Sequence, residues 1–423
     1  MGLPSCTTAM PRIGSYTLAT LLATLPVAPA AIALEDEWQN HQWGIRFRPR
    51  VAYVDADNNA RAASVLLRGR LASDWTEKFS TLVEMDYVAL GWKNEFSNGE
   101  HFNDKPVIPD VEGFDLNQLL LSYAATNSLQ LAIGREAVNL GNERFVGSNS
   151  FWQNEQTLDM AGLTFSFGTA SFISYRFVDN ANRISGDDAG TRLSPSDSDF
   201  IANNGQRPAR FLGDHDHHSH LLFAEFKEWD FSTLQTYYYD MEIRDAQAAS
   251  NKTTGLRYEY KGRLKKLRAL AHAELALQER PEVDSGNWMP YYNIGAGLGY
   301  RASELSINYE ELGANNDLSF TTPLASLHDF NGWVDKFLIT PTTGLRDYSL
   351  QYIWRQSPLK IDARYHFFHA ANNNTRYGEE LDIDFIFKTG KRSSVLLRYA
   401  DFYSHDQSYQ DERRIFLMFS HDL

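Results

Sequence analysis

The chain has 423 residues and a formal net charge of −14, and 13% of its residues are aromatic, with 21 Tyr and 26 Phe. No run of about 20 apolar residues follows the N-terminal region, which excludes a protein that spans a membrane with helices. The aromatic content is high for a soluble enzyme and is typical of the interfacial girdles of a membrane β-barrel.

The N-terminal region predicts a secretory signal peptide over residues 1–33. Arg12 supplies the positive charge, and the segment Ile13–Ala33 is apolar and ends in small residues at alternate positions. A buried or anchoring helix is the alternative, but two prolines interrupt the run and an acidic triplet follows it. Because Cys6 is the only cysteine, we expect no disulfide in the mature chain. Residues 34–423 are predicted to form a single domain.

Apolar and polar residues alternate through the mature sequence, as expected for β-strands with one apolar face. In residues 43–53 the odd positions are apolar or Pro, whereas Arg46, Arg48 and Arg50 occupy even positions. Such segments run to about ten residues, which is the length that a tilted strand needs to cross a bilayer. The same alternation recurs near the end of the chain, at 347–355, 359–367 and 380–388.

The linkers between these segments alternate between short and long. Turns of a few residues, such as Asp74–Glu77 and Gly168–Ala170, alternate with long segments such as Gly91–Phe114, Glu136–Gln156, Gln278–Pro290 and Gly313–Leu345. Short periplasmic turns and long outer loops are the connectivity of an outer-membrane barrel. We therefore predict an all-β, antiparallel, up-and-down transmembrane barrel of about 18 strands in the bacterial outer membrane, wide enough for an aqueous channel.

If the apolar faces contact lipid, the polar faces line the lumen, and these are rich in arginine. Arginine and lysine rings favour anions, whereas acidic rings favour cations, and some of these residues are expected to form structural pairs. The cluster on the first two strands is the best candidate for a basic constriction. The predicted basic lumen residues are Arg46, Arg48, Arg50, Arg68, Arg70, Arg176, Arg257, Arg268, Arg355, Lys360, Arg364, Arg398 and Arg414. The predicted lumen acids are Glu84, Asp86, Glu259, Glu274, Glu310, Asp362, Asp382 and Asp384.

Signals for metal binding and catalysis are weak. The segment Asp214–His220 contains four histidines, but as a loop run it has no fixed ligand geometry, so we predict no specific metal and no cofactor. The chain lacks G-x-S-x-G, H-E-x-x-H and a phosphate loop, and we predict that it is not an enzyme.

Two stretches go beyond a generic barrel pattern. One runs from Gly134-Arg135-Glu136 through Leu140-Gly141-Asn142-Glu143-Arg144 to Gln153-Asn154-Glu155. The other contains Thr322-Pro323-Leu324-Ala325 and His328-Asp329-Phe330-Asn331-Gly332-Trp333. Together they resemble the alginate-export porin family over essentially the whole mature chain. The resemblance implies a monomeric barrel of eighteen strands whose arginine-rich constriction passes an acidic polysaccharide, and by position it adds Arg135 and Arg144 to the pore residues.

The sequence leaves two functions open. The first is a porin that conducts an anionic polysaccharide such as alginate through an arginine-rich, anion-selective lumen. The alternative is an uptake porin for small organic or anionic solutes. In both cases the expected partners are membrane lipid, lipopolysaccharide and the anionic solute, and no nucleic acid is expected. A structural barrel with a closed lumen is a third possibility.

Overall fold

The computed structural model describes residues 41–373 and 375–423, so the predicted signal peptide lies outside the described residues. Eighteen antiparallel strands form one closed barrel, and two further short strands, β14 and β15, pair within a loop. The strands are β1 His41–Asp55, β2 Ala60–Asp74, β3 Phe79–Gly91, β4 Gly113–Ala124, β5 Leu129–Glu136, β6 Thr157–Phe167, β7 Ser171–Asn182, β8 Asp214–Trp229, β9 Ser232–Met241, β10 Asn251–Leu264, β11 Leu267–Arg280, β12 Asp284–Tyr300, β13 Ser303–Leu312, β14 Ala314–Asn315, β15 Leu318–Ser319, β16 Leu345–Gln356, β17 Leu359–His369, β18 Arg376–Lys388, β19 Ser393–Ser404 and β20 Glu412–Asp422.

Each barrel strand pairs with its neighbour in sequence, and β20 pairs with β1 to close the wall. Three short 3₁₀ turns, Ala209–Phe211, Gln247–Ala249 and Leu327–Asp329, lie in the loops. Among the described residues no helix has the length and apolar character needed to cross a membrane. The prediction of an antiparallel barrel of eighteen strands is therefore confirmed.

Long loops gather at one end of the barrel and short turns at the other. Four of the long loops are loop 2 (92–112), loop 3 (137–156), loop 4 (183–213) and loop 7 (313–344). One linker differs from the prediction of a long loop at Gln278–Pro290. β11 and β12 extend through most of this segment and leave a turn at 281–283.

The outside of the barrel is apolar. Trp43, Phe114 and Ile307 are 66%, 67% and 63% exposed, and the large exposed apolar side chains recur on alternate positions of nearly every strand. A surface of this kind is stable only in lipid, and a closed barrel satisfies the backbone hydrogen bonds of its strands there. This exterior, together with the fold, agrees with the predicted location in the bacterial outer membrane.

The inside is filled by loops rather than left as an open tube. Phe145 of loop 3 packs against Tyr237 and Tyr291 of the wall and Phe320 of loop 7, with ring centroids 5.2–5.7 Å apart. A short bridge between Val146 and Leu324 links the two loops directly. Loops 3 and 7 therefore share an apolar core with the barrel wall and divide the lumen.

Candidate functional site: the lumen and its loops

Two of the predicted constriction arginines are covered by loops. Arg48 donates to the Gln153 side chain at 3.0 Å and to carbonyl oxygens of loop 3, and no acid pairs with it in the described residues. Arg50 is fully buried beneath loops 2 and 3, where it pairs with Asp110 and donates to the Phe151 carbonyl at 2.9 Å. These two cations hold the loops in the lumen rather than facing a passing solute.

Arg68 forms the densest ion-pair cluster on the wall. Its guanidinium donates to both Asp86 oxygens at 2.7 and 2.6 Å and to Glu155 of loop 3 at 2.7 Å, and Glu84 lies 3.4 Å away. Arg70, two residues further along β2, is 58% exposed and lies 3.9 Å from Glu84. Of these two arginines on the same face of β2, Arg68 is therefore buried among acids and Arg70 is exposed.

Arg144, which the family resemblance added to the pore, links loop 3 to loop 7. It donates to Glu310 at 2.7 Å and to Asn331 Oδ1 at 2.8 Å, and it lies over the Phe330 ring at 4.7 Å. Burial acts to lower the pKa of Arg144, but Glu310 and Tyr291 beside it hold that pKa above its ordinary value. Arg144 therefore stays positively charged, and Glu310 beside it neutralises this charge.

Arg398 of β19 plays a similar role. It makes two hydrogen bonds of 2.8 Å to Asp384 and one of 2.8 Å to His328 of loop 7. Its guanidinium is stacked between the rings of Phe151 and Trp333, at 4.3 and 3.7 Å. A cation between two aromatic faces and an acid gains from both kinds of contact and is screened from the lumen.

Five further predicted lumen cations face inward, and each has an acid beside it. Arg176 lies 3.7 Å from Glu136, and Arg257 lies 2.8 Å from both Glu259 and Glu274. Lys360 and Arg364 share Asp362 at 3.3 and 3.5 Å, and Arg414 pairs with Glu412 at 2.7 Å and Asp335 at 2.9 Å. These charges are compensated within the barrel.

The remaining predicted cations, Arg46, Arg268 and Arg355, are 40%, 40% and 47% exposed. Asp422 lies 2.7 Å from Arg46, and Glu304 lies 3.6 Å from both of the others. Each of these arginines is close to a short turn. Exposed lumen arginines therefore occur near the end of the barrel that carries the short turns.

Arg135 does not face the lumen, although it was predicted to line the pore. It lies on the outside of the barrel, in a shallow groove with Leu119, Ile133 and Phe177, and it forms a two-bond pair with Asp159 at 2.7 and 3.0 Å. The preceding Gly134 has a φ of +129°, and a Cβ there would lie 2.0 Å from the Leu119 carbonyl oxygen. β5 is also the shortest barrel strand, so Arg135 lies at its outer rim.

Two of the larger cavities lie inside the barrel and among its loops. The inner cavity, of about 360 Å³, lies between the inner faces of β10–β17 and the tips of loops 3 and 7. The outer vestibule, of about 630 Å³, lies among the long loops. Leu327 and His328 line the vestibule, whereas Asp329 and Phe330 line the inner cavity. The 3₁₀ turn Leu327–Asp329 therefore separates the two spaces.

The histidine-rich segment is not a loop. Residues 214–220 begin strand β8, and the strand alternation turns His215 and His217 inward and His218 and His220 outward. Among residues 41–373 and 375–423 no group of three or more His, Cys, Asp or Glu is arranged to hold a metal ion. The run is thus divided by the barrel wall into two separate pairs.

Sequence reasoning missed two cations of the outer vestibule, Arg183 and Arg210, because both lie in loop 4, outside the strand alternation that identified the others. Burial lowers the pKa of Arg183 to about 10 and also lowers the pKa of Arg210. Neither forms an ion pair within the described residues. Loop 4 also contains Arg192 and Arg207, so no pattern in the sequence distinguishes the two arginines that line the vestibule.

Solved structures share this architecture. The match to OccK8 (OprE) from Pseudomonas aeruginosa covers 91% of this chain and 98% of that chain, with a TM-score of 0.64 and 13% identity. For OccAB2 from Acinetobacter baumannii the shares are 91% and 99%, with a TM-score of 0.67 and 13% identity. The outer membrane protein OpdK from P. aeruginosa matches with shares of 90% and 99%, a TM-score of 0.65 and 10% identity.

No protein-family model matches the sequence, and no curated protein matches it. The resemblance to alginate-export porins is wrong, because the neighbours by structure are OccK8, OccAB2 and the outer membrane protein OpdK. Most of the motifs that suggested alginate export lie in loops 3 and 7, where they serve contacts such as Arg144 with Asn331, whereas Gly134-Arg135-Glu136 ends strand β5. The fold of this chain is that of an outer-membrane porin.

Proposed function

We propose that this chain is an uptake porin for small organic anions. The observation that carries the proposal is the division of the lumen by loops 3 and 7 into cavities of about 360 and 630 Å³. Sites for small molecules commonly have volumes of about 300–1,000 Å³. A polysaccharide chain needs a continuous wide channel, whereas a small solute needs only successive cavities joined by a narrow passage.

The sign of the preferred charge is inferred from the arginines that remain exposed. Arg46, Arg70 and Arg355 expose 40–58% of their side chains, and arginine binds carboxylates with two parallel hydrogen bonds. The inner cavity also contains carboxylates, and the exposed Asp329 forms no ion pair within the described residues.

The neighbours by structure support small solutes better than a polysaccharide. OpdK has been crystallised with vanillate, a small aromatic carboxylate, and it matches this chain with a TM-score of 0.65 at 10% identity. The proposal therefore names a chemical class of solute, small organic anions.

Planar-bilayer recordings test the proposal. A KCl gradient should give a reversal potential that indicates preference for chloride, and replacing chloride with benzoate should leave a measurable current. An oligomer of polyguluronate should neither carry current nor reduce it. Cation preference would contradict the charge, and a large current block by the oligomer would contradict the size limit.

We also propose that the barrel works as a monomer in a membrane whose outer leaflet contains lipopolysaccharide. The supporting observation is that β1 and β20 close the wall within one chain, so that each chain encloses its own lumen. Chemical cross-linking in outer-membrane vesicles should yield a single band at the monomer mass. A ladder of dimers and trimers would overturn the monomer proposal.

A further inference from the structure

Two arginines at the ends of loop 4 line the outer vestibule without acidic partners. Arg183 begins the loop and Arg210 lies near its end. The Arg183 N–H donates to the Gly213 carbonyl at 2.7 Å, so the two ends of the loop lie side by side. Within the described residues neither guanidinium forms an ion pair. An uncompensated cation that is partly removed from water is costly unless an anion can approach it.

Arg183 is held in place while part of its donor set stays unused. Its Nη1 donates to Gln156 Oε1 at 2.6 Å and to the Pro323 carbonyl at 2.5 Å, so loops 3 and 7 both fix the side chain. In the described part of the chain its Nε and Nη2 have no hydrogen-bond partner. Burial lowers its pKa only to about 10, so the group remains charged at neutral pH.

Arg210 is even less engaged. It lies over the Phe211 ring, with its guanidinium carbon 4.7 Å from the ring centroid, and makes no hydrogen bond among residues 41–373 and 375–423. The planar face of its guanidinium is occupied by the ring, while its N–H edge remains available. An edge of this kind is the part of arginine that binds a carboxylate with two hydrogen bonds.

The other charges of the vestibule compensate one another or lie at its mouth. Lys336 pairs with Glu412 at 2.7 Å, Arg414 pairs with Asp335 at 2.9 Å, and Lys105 pairs with Glu95 at 3.0 Å. The two acids without a cation, Asp57 and Asp104, are exposed to solvent. Water screens exposed charges far more than buried ones, so the half-buried Arg183 contributes more to the field inside the vestibule than the exposed Asp57 and Asp104 do.

Apolar side chains also line the vestibule. Leu338 and Ile339 of loop 7 are 40% and 59% exposed, although they lie in a loop that lines the cavity. Trp152, Ile184 and Phe211 continue the apolar surface. Exposed aliphatic side chains beside a pair of cations are suited to a ligand that has an apolar body and an anionic head.

We propose that the outer vestibule is a capture site for organic anions with an apolar body, in which Arg183 and Arg210 bind the anionic group and Leu338 and Ile339 contact the body. This inference rests on the proposed uptake function and specifies its solutes, which would be concentrated here before they reach the inner cavity. Hydrophilic anions such as acetate would pass without being captured.

Binding of benzoate to the folded, detergent-solubilised protein tests the site by calorimetry. Arg210→Gln should weaken binding by about tenfold or more, because a hydrogen-bonded charge pair is lost. R183Q/R210Q should abolish binding.

R210Q is the decisive variant, since Arg210 makes no hydrogen bond to the described residues and its loss leaves the loop contacts in place. The matched control is R192Q, which removes an exposed charge of the same loop outside the vestibule. Benzamide, a neutral analogue, should not bind.

Wild-type affinity in R210Q, or equal binding of benzamide and benzoate, would overturn the capture site. The bilayer measurement separates this failure from failure of the proposed function. If wild type and R210Q both prefer chloride and carry benzoate, while benzoate binding is unchanged, the uptake function stands and the capture site does not. If wild type carries no anion current, the proposed function itself is lost.

Discussion

The arginines beneath the loops and the arginines near the short turns differ in how much of their side chains is exposed. Arg50, Arg68, Arg144 and Arg398 expose 0–8% of their side chains and are paired with acids. Arg46, Arg70 and Arg355 expose 40–58%. The number of arginines in a lumen therefore says little about its field, because pairing and burial decide which charges a solute meets.

Removing Asp110 should give the largest effect on the arginines beneath the loops. Asp110 is buried, pairs with Arg50 and accepts a hydrogen bond from Ser64 at 2.6 Å. The substitution D110A leaves Arg50 buried without its acid, at a cost of about 3–5 kcal/mol. Loop 2 should then become sensitive to limited proteolysis, and the urea midpoint of unfolding should fall. D104A, an exposed position of the same loop, is the control; equal resistance in both variants would show that Arg50 is not held by its acid.

Removing Arg144 should open the lumen. The variant R144M breaks the contacts to Glu310 and Asn331 that link loop 3 to loop 7, at a cost of about 3 kcal/mol. Single-channel conductance should rise by about twofold or more, because the constriction loosens. R135M removes an arginine from the outside of the barrel and should leave conductance unchanged. Wild-type conductance in R144M would mean that the apolar core of the loops suffices to hold them.

The pair Arg68 and Arg70 sharpens the comparison within one strand. R70Q removes an exposed charge and should change unfolding stability by less than about 0.5 kcal/mol, while reducing the chloride preference of the channel. R68Q should instead destabilise the barrel, since Asp86 and Glu155 lose their cation. The reversal potential in a salt gradient and the urea midpoint of unfolding should be measured for both R70Q and R68Q. If R68Q were as stable as wild type but less selective for chloride, Arg68 rather than Arg70 would set the selectivity.

The smallest expected effect is a pH dependence of the contact between loops 3 and 7. Burial raises the pKa of Glu143, which accepts a hydrogen bond from Ser326 at 2.7 Å. The folded state therefore binds the carboxyl proton of Glu143 more tightly than the unfolded state does. The stability that this proton contributes is fully present below the ordinary glutamate pKa and is lost as the pH rises through the raised pKa. Proteolysis of loop 7 should therefore become faster across that interval, and E143Q should remove the change. An identical pH profile in E143Q would contradict the role of Glu143.

The barrel could be predicted because the sequence patterns that indicate it involve residues close together in the chain. Alternation along residues 43–53 and the rhythm of short and long linkers depend on near neighbours in sequence, and they indicate the correct number of strands. The histidine run was assigned to a loop because polar residues dominate it, yet it begins β8. Long strands that extend beyond the membrane lose their apolar outer face, and their alternation then disappears from the sequence.

The site could be predicted only in part, because its partners come from distant loops. Arg48 meets Gln153, 105 residues away, and Arg144 meets Asn331, 187 residues away. No local pattern indicates that loops 3 and 7 fold inward or which acids they bring. Arg135 shares the outward face of β5 with Leu131 and Ile133, so alternation indicates its side correctly, and it was the family resemblance that predicted it in the pore.

Closure of the wall by β1 and β20 has a consequence for assembly. The Arg46–Asp422 pair across this seam joins residues 376 positions apart, whereas every other ladder of the barrel joins strands that are neighbours in sequence. The seam ladder also skips Arg48 and Pro49, and proline has no N–H to donate. Contacts between such distant segments carry the greatest chain-entropy cost. We therefore expect the protein to enter the membrane as a widening sheet of hairpins that becomes a barrel in its final step.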